Sequence, residues 1–171
     1  VTAFCLACVC AELLVQLVTK EGKSSRTEFI GKSAKYILDQ LGIQVGDDVR
    51  VIIMRAKEEH PFVQVELLMP ILPIVTVPDV DTGIDMAVRV EHGNRHTAIM
   101  HSRNVEKLTK MAKLIQTTIF VKNGPSYAGI GVGGEGYTTF TIAGPTGEGL
   151  TSAKSFARRR KCVLVGAMDV R

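Results

Sequence analysis

Four kinds of residue capable of chemistry stand out in this 171-residue chain: four cysteines, four histidines, a glutamate set among apolar neighbours, and a run of glycines. Cys5, Cys8 and Cys10 crowd the N-terminus, and Cys162 stands by itself in an apolar run, where it reads as a small buried strand residue. Thiols distributed this way fit a reducing cytosol and not the disulfide framework of a secreted scaffold. The CxxC of Cys5 and Cys8 has no second pair downstream to complete a zinc site. His96 and His101 are five apart and would face opposite ways on one strand. His92 and His96 have helical spacing, but Gly93 is placed to end the helix between them. Spacing therefore assigns no metal ligands.

Glu66 lies in the segment PFVQVELLMP, directly before an apolar run. A carboxylate buried there without a partner would be costly, so something is expected to hydrogen-bond it. Spacing alone leaves two roles open, satisfaction of nearby backbone or the holding of a ligand. Two glycine patterns invite a nucleotide reading and fail on context. Gly131 to Gly136 spells GxGxxG but runs into Tyr137-Thr138-Thr139-Phe140, a β-type sequence, where a dinucleotide fingerprint must open a helix. Gly144 to Gly149 lacks the Lys-Ser/Thr that would finish a P-loop. These glycines are expected to serve turns and close backbone approaches.

The elements that must position these residues follow from periodicity and punctuation. Ser33 caps a helix with Ala34, Ile37, Leu38 and Leu41 on one face, and Gly42 stops it. Val49 to Met54 is rich in β-branched residues and follows the turn-like Gly46-Asp47-Asp48, predicting a strand. Pro70 to Val77 is apolar on both faces, as in a covered strand, with its prolines confining the regular part to the C-terminal end. Asp79 or Asp81 starts a helix with Ile84, Ala87 and Val88 inward, ending near Gly93. Thr97 to Met100 is strand-like. Asn104 caps a helix with Val105, Leu108, Met111, Ala112 and Ile115 on one stripe, and Thr117 to Val121 returns as a strand. Strands and helices alternating at this spacing imply parallel pairing through right-handed crossovers, hence the α/β class. From Lys122 to Lys161 the chain makes a glycine-rich excursion with a strand at Tyr137 to Ile142, a helical turn, and a closing strand.

The net charge of +4 comes largely from Arg158, Arg159, Arg160 and Lys161, a block without stacking aromatics, so no nucleic-acid partner is expected. Val1 to Val18 is apolar, but Glu12 and Gln16 interrupt it and no basic leader precedes it. It is expected to be a buried or interface helix and neither a membrane span nor a signal peptide.

The segment NGPSYAGIGVGGEGYTTFTIAGPTGEGLTSAKSFARRRKCVLV, with EHPFVQVELLMPILPIVTV and HTAIMHSRN before it, resembles the C-terminal signature of the coenzyme A-acylating aldehyde dehydrogenases. These are the acetaldehyde and propionaldehyde dehydrogenases of ethanolamine and propanediol catabolism. The resemblance weakens before about Glu28. It implies an α/β fold in which residues 1–136 are the C-terminal part of the catalytic domain, with 1–27 poorly matched. Residues 137–171 would be a β oligomerisation arm with the closing strands, adding to a neighbouring subunit's sheet.

The family reaction oxidises a short-chain aldehyde with NAD through a cysteine thioester that passes to coenzyme A. None of the four cysteines stands in the nucleophile's context, so the isolated chain is expected to be inactive and to contain no catalytic residue. ELLMPILP is similar to the segment whose glutamate binds the nicotinamide ribose hydroxyls, which maps that role onto Glu66. Leu68 falls where many relatives carry an aromatic beside the nicotinamide. The block at Arg158 to Arg160 could meet acidic partners or a coenzyme A phosphate. The resemblance further implies an aldehyde substrate, a homo-oligomer, and a cytoplasmic setting that includes bacterial microcompartments. The alternative is a non-catalytic oligomerisation or interaction subunit.

Overall fold

The computed structural model describes residues 2–6, 8–133, 152–163 and 165–166 of the chain. It divides into two compact units, Val1–Val90 and Glu91–Arg171.

The first unit is built on a three-stranded parallel sheet in the order β1 (Thr2–Cys5), β4 (Val49–Arg55), β5 (Ile71–Ile74). Between β1 and β4 run α1 (Cys8–Val18), the hairpin β2 (Thr19–Lys20) and β3 (Ser24–Ser25), a 3₁₀ turn (Thr27–Phe29) and α2 (Ala34–Asp39). The short helix α3 (Pro61–Gln64) joins β4 to β5, and α4 (Val80–Val90) follows. Central β4 carries the sheet's part of the core, with Ile52 and Met54 essentially without solvent contact. Against them lie Leu14 and Val18 of α1 and Ile37 and Leu38 of α2, all equally sealed. Each such side chain contributes about 1.5–3 kcal/mol by leaving water.

Local signals explain where these elements begin. The Ser33 hydroxyl accepts from the Tyr36 N–H at 3.2 Å and so starts α2, while Gly42, at φ +75°, turns the chain after it. Asp79 is the residue that starts α4: its carboxylate accepts from the Thr82 backbone N–H and hydroxyl at 2.9 and 2.8 Å. Those bonds hold its pKa below the usual carboxylate value. Near its other end, Arg89 of α4 grips both Glu58 oxygens, at 2.8 and 2.9 Å.

Two expectations are corrected here. Val1 to Val18 is not one helix, because Thr2–Cys5 pairs with β4 as a strand and helix begins only at Cys8. Pro70 to Val77 is not a covered strand with its regular part late. β5 starts directly after Pro70, pairs among the described residues only on its β4 side, and leaves Leu72 and Ile74 50% and 44% exposed. Its edge position in this sheet is what lets Pro73 sit within the strand, since the side without a partner needs no N–H.

The second unit contains the parallel pair β6 (Thr97–Met100) and β7 (Ile119–Lys122), connected by α5 (Val105–Ile115). The Asn104 side chain accepts from the Lys107 N–H at 3.1 Å, capping α5 as the sequence predicts. Leu108, Met111 and Ile115 bury the expected stripe. Val105 does not: it is the first residue of α5 and is 69% exposed. A 3₁₀ segment, Ser126–Ile130, folds back on β7 so closely that a Cβ on Gly129 would meet Ile119 Cγ2. The helical turn anticipated late in the chain is a 3₁₀ segment at Ala153–Phe156, closed by a reciprocal capping box between Ser152 and Ser155. The strand expected at Tyr137 to Ile142 lies outside the described residues. No helix among the described residues is long and apolar enough to cross a membrane.

Candidate functional site

The site begins with the way His60 and Pro61 redirect the chain after β4. Pro61 occupies the first helical position, where a missing N–H costs nothing, and His60 Nδ1 accepts from the Phe62 N–H at 3.1 Å. That acceptor requires an unprotonated Nδ1, and burial of the ring lowers the His60 pKa from its ordinary 6.5. The imidazole also meets the buried Phe62 ring edge-on, with centroids 5.1 Å apart.

After one turn α3 gives way to the segment that carries both predicted ligand residues. Leu67 is buried, and its neighbours Glu66 and Leu68 are exposed on either side of it. This corrects the picture of Glu66 as a carboxylate desolvated among apolar neighbours. The apolar character belongs to Leu67 and Phe62, which turn inward, while the Glu66 carboxylate faces solvent without a protein partner among the described residues. Leu68 is 60% exposed and has φ +52°, in the left-handed region that costs a residue with a Cβ roughly 1–2 kcal/mol.

Three carbonyls in succession hold this backbone. Those of Glu66 and Leu67 accept from the Ser25 hydroxyl at 2.6 and 3.2 Å, and that of Leu68 accepts from the Gly31 N–H at 3.1 Å. An acceptor-only carboxylate beside an exposed apolar side chain, on a fixed backbone, suits a ligand with hydroxyl donors next to a flat apolar ring.

A concavity lies at the C-terminal end of β4. It is an open cavity of 620 Å³ between Glu12 of α1 and the residues Arg55, Lys57, Glu59 and His60. Its two cations and two carboxylates oppose each other in charge, and it contains neither residue singled out for ligand binding. No cluster of His, Cys, Asp or Glu suited to a metal occurs among the described residues.

The described cysteines are free thiols. Cys5 and Cys162 are exposed and Cys10 is half-buried. Cys162 was expected inside a buried strand. It lies outside any helix or strand among the described residues, and Val163 and Val165 near it are exposed as well. Arg158, Arg159, Arg160 and Lys161 are all exposed.

Sequence reasoning missed both the His60 cap and the Ser25 clamp. A helix-start signal was present in Pro61. Nothing local could signal a hydroxyl bonding a backbone 41 residues away.

No protein-family profile matches the chain. It is 56% identical over 145 residues to the propanal dehydrogenase (CoA-propanoylating) of Citrobacter freundii, a match covering 84% of this chain and 32% of that protein. Its fold matches the crystal structure of Rhodopseudomonas palustris propionaldehyde dehydrogenase with bound CoA. The TM-score is 0.85 and the identity 63%, over 95% of this chain and 37% of the other. The propionaldehyde dehydrogenase from the Clostridium phytofermentans fucose utilisation bacterial microcompartment matches at TM-score 0.85 and 45% identity, over 99% of this chain and 39% of the other. The chain thus spans about a third of the length of the curated relatives it matches. High identity over most of this chain, with the same α/β arrangement, places it in the coenzyme A-acylating aldehyde dehydrogenase family.

Proposed function

We propose that the chain is the C-terminal part of an enzyme that oxidises a short-chain aldehyde to an acyl-CoA with NAD, through a cysteine thioester. The observation that carries this reading is the exposed Glu66 carboxylate, without a protein partner among the described residues, on a backbone fixed at three consecutive carbonyls. When bound, NAD supplies the hydride acceptor and coenzyme A the acyl acceptor. The residues present fit the first of these. Glu66 accepts from the ribose hydroxyls, Leu68 offers apolar surface beside the nicotinamide, and buried Leu67 anchors both. Arg158 to Arg160 offer exposed charge to the coenzyme A phosphates. The nucleophile is none of this chain's cysteines, so the isolated chain does not turn over. Residues 1–136 belong to the catalytic domain and 137–171 to an arm that adds to a neighbouring subunit in a homo-oligomer. The setting is cytoplasmic, and the microcompartment source of one relative supports packaging there.

Glu66→Gln tests the reading in a chimera in which this chain replaces the matching region of the Rhodopseudomonas palustris enzyme. Loss of charge-assisted hydrogen bonds of about 1.5–3 kcal/mol should appear in NAD affinity and in the hydride step with propionaldehyde, leaving coenzyme A affinity and melting temperature unchanged. A destabilised chimera with unaltered NAD kinetics would make Glu66 a structural residue. A second reading, a non-catalytic oligomerisation subunit, draws on the exposed Leu72 and Ile74 of β5. It requires self-association together with an unimpaired Glu66→Gln chimera.

A further inference from the structure

We propose that Ser25 is a positioning residue for the cofactor carboxylate: its hydroxyl clamps the backbone from which Glu66 projects and so fixes where that carboxylate points. The proposal rests on reading Glu66 as the ribose ligand.

The hydroxyl has one proton and two carbonyls in reach. The shorter bond, 2.6 Å, goes to the Glu66 carbonyl, and the 3.2 Å contact to Leu67 is the weaker half of a shared bond. A clamp is useful only if it is itself fixed, and Ser25 is. It pairs with Thr19 across the hairpin, and Thr19 is buried, donates to the Val15 carbonyl at 2.6 Å and accepts from the Gly22 N–H at 3.0 Å. The next residue, Arg26, ties back through its backbone N–H to Val18 at 2.8 Å and through its guanidinium to the Thr19 carbonyl at 2.9 Å. The hairpin turn closes on α3 as well, since a Cβ on Gly22 would stand 3.2 Å from Pro61. One end of the clamp is therefore built on the C-terminus of α1, and the other holds the exposed segment.

That segment needs holding. Leu68 is strained at positive φ, and only the Gly31 N–H bonds its carbonyl among the described residues. Without the Ser25 hydroxyl, rotation of the Glu66 peptide would swing an exposed carboxylate that has no hydrogen bond or ion pair of its own among the described residues. Strain retained at a solvent-facing, over-determined position is characteristic of pre-organised ligand sites.

The test is a double-mutant cycle in the chimera: wild type, Ser25→Ala, Glu66→Gln and both together. Ser25→Ala should lower kcat/KM for NAD roughly three- to tenfold, the equivalent of one neutral hydrogen bond. It should leave the KM for coenzyme A unchanged, Ser25→Thr should restore the NAD value to within about twofold, and the double variant should be no worse than Glu66→Gln alone. If Glu66→Gln is impaired but Ser25→Ala is not, the clamp is refuted and the Glu66 reading stands. If Ser25→Ala lowers activity equally with and without the Glu66→Gln substitution, Ser25 acts on the fold and not through the carboxylate, which also overturns the proposal. If Glu66→Gln behaves as wild type, both readings fall. Should Ser25→Ala not fold, Ser25→Cys, with its weak S–H donor, takes its place in the same cycle.

Discussion

His60 gives the sharpest stability test, because one side chain does two separable things. Its Nδ1 caps α3, and its ring meets Phe62 edge-on. Loss of a side-chain cap costs about 1 kcal/mol, and an edge-to-face ring contact contributes about 0.5–1.5 kcal/mol beyond its buried area. His60→Ala should therefore destabilise by about 2 kcal/mol, and for a unit of this size that lowers Tm by roughly 8–16 °C. His60→Asn keeps an acceptor at the cap and should lose only the ring contribution.

The pH dependence separates the two further. Burial depresses the folded-state pKa of His60 below 6.5, so the unfolded chain takes up the proton first. Stability is complete above pH 6.5 and is lost as the pH falls from there through the folded-state pKa. Glu58, whose pKa is lowered chiefly by the Arg89 hydrogen bonds, acts in a separate window. Its contribution is present above its ordinary 4.5 and is lost as the pH falls through its own lower folded value. Thermal unfolding followed by circular dichroism across both windows is the assay. His60→Asn should flatten the upper window and leave the lower intact. A variant that keeps the wild-type slope below pH 6.5 would refute the argument that a neutral Nδ1 holds α3.

Gly129→Ala should destabilise the second unit by about 1–3 kcal/mol in chemical denaturation, since its Cβ would overlap Ile119 Cγ2; an unchanged midpoint would show that the Ser126–Ile130 turn does not sit against β7. Ile52→Ala should cost about 2–5 kcal/mol by opening a cavity at the centre of the first sheet, again read from the denaturation midpoint. The exposed Leu72 and Ile74 on the β5 edge should drive concentration-dependent association in sedimentation, and Leu72→Lys should reduce it; a monomer at every concentration would show that this edge drives no association.

How much of this was readable in advance depends on whether the determining signal is local. The Ser33 and Asn104 caps, the β4 and β6 strands and the buried stripe of α5 are fixed by residues within a few positions of one another, and all were legible. β1 was not, because its four residues open a longer apolar run that reads as helix, and they become a strand only by pairing with β4, 47 residues on. The solvent-facing environment of Glu66 was not legible. Apolar neighbours along the chain do not reveal which way each faces, and the left-handed turn at Leu68 decided that. The Ser25 clamp was invisible for the same reason as β1, being a contact across 41 residues.

The parallel pairing of β1 with β4 has a consequence for the order in which the chain can assemble. β6 and β7 meet after a separation of 22 residues with only α5 between them, whereas β1 must wait for a partner 47 residues later in the chain. The entropy difference is small, since doubling a loop costs about 0.6 kcal/mol. The sequence of events matters more. As the polypeptide leaves a ribosome, Thr2–Cys5 emerges before its partner and waits until α1, the hairpin, α2 and β4 have all followed. Among the described strands of the sheet it occupies an edge, with three of its four residues exposed. Among the described strands of this sheet, β1 is thus the one that waits longest for its partner. Its amides should lead the hydrogen exchange of the native state, well ahead of those of β4.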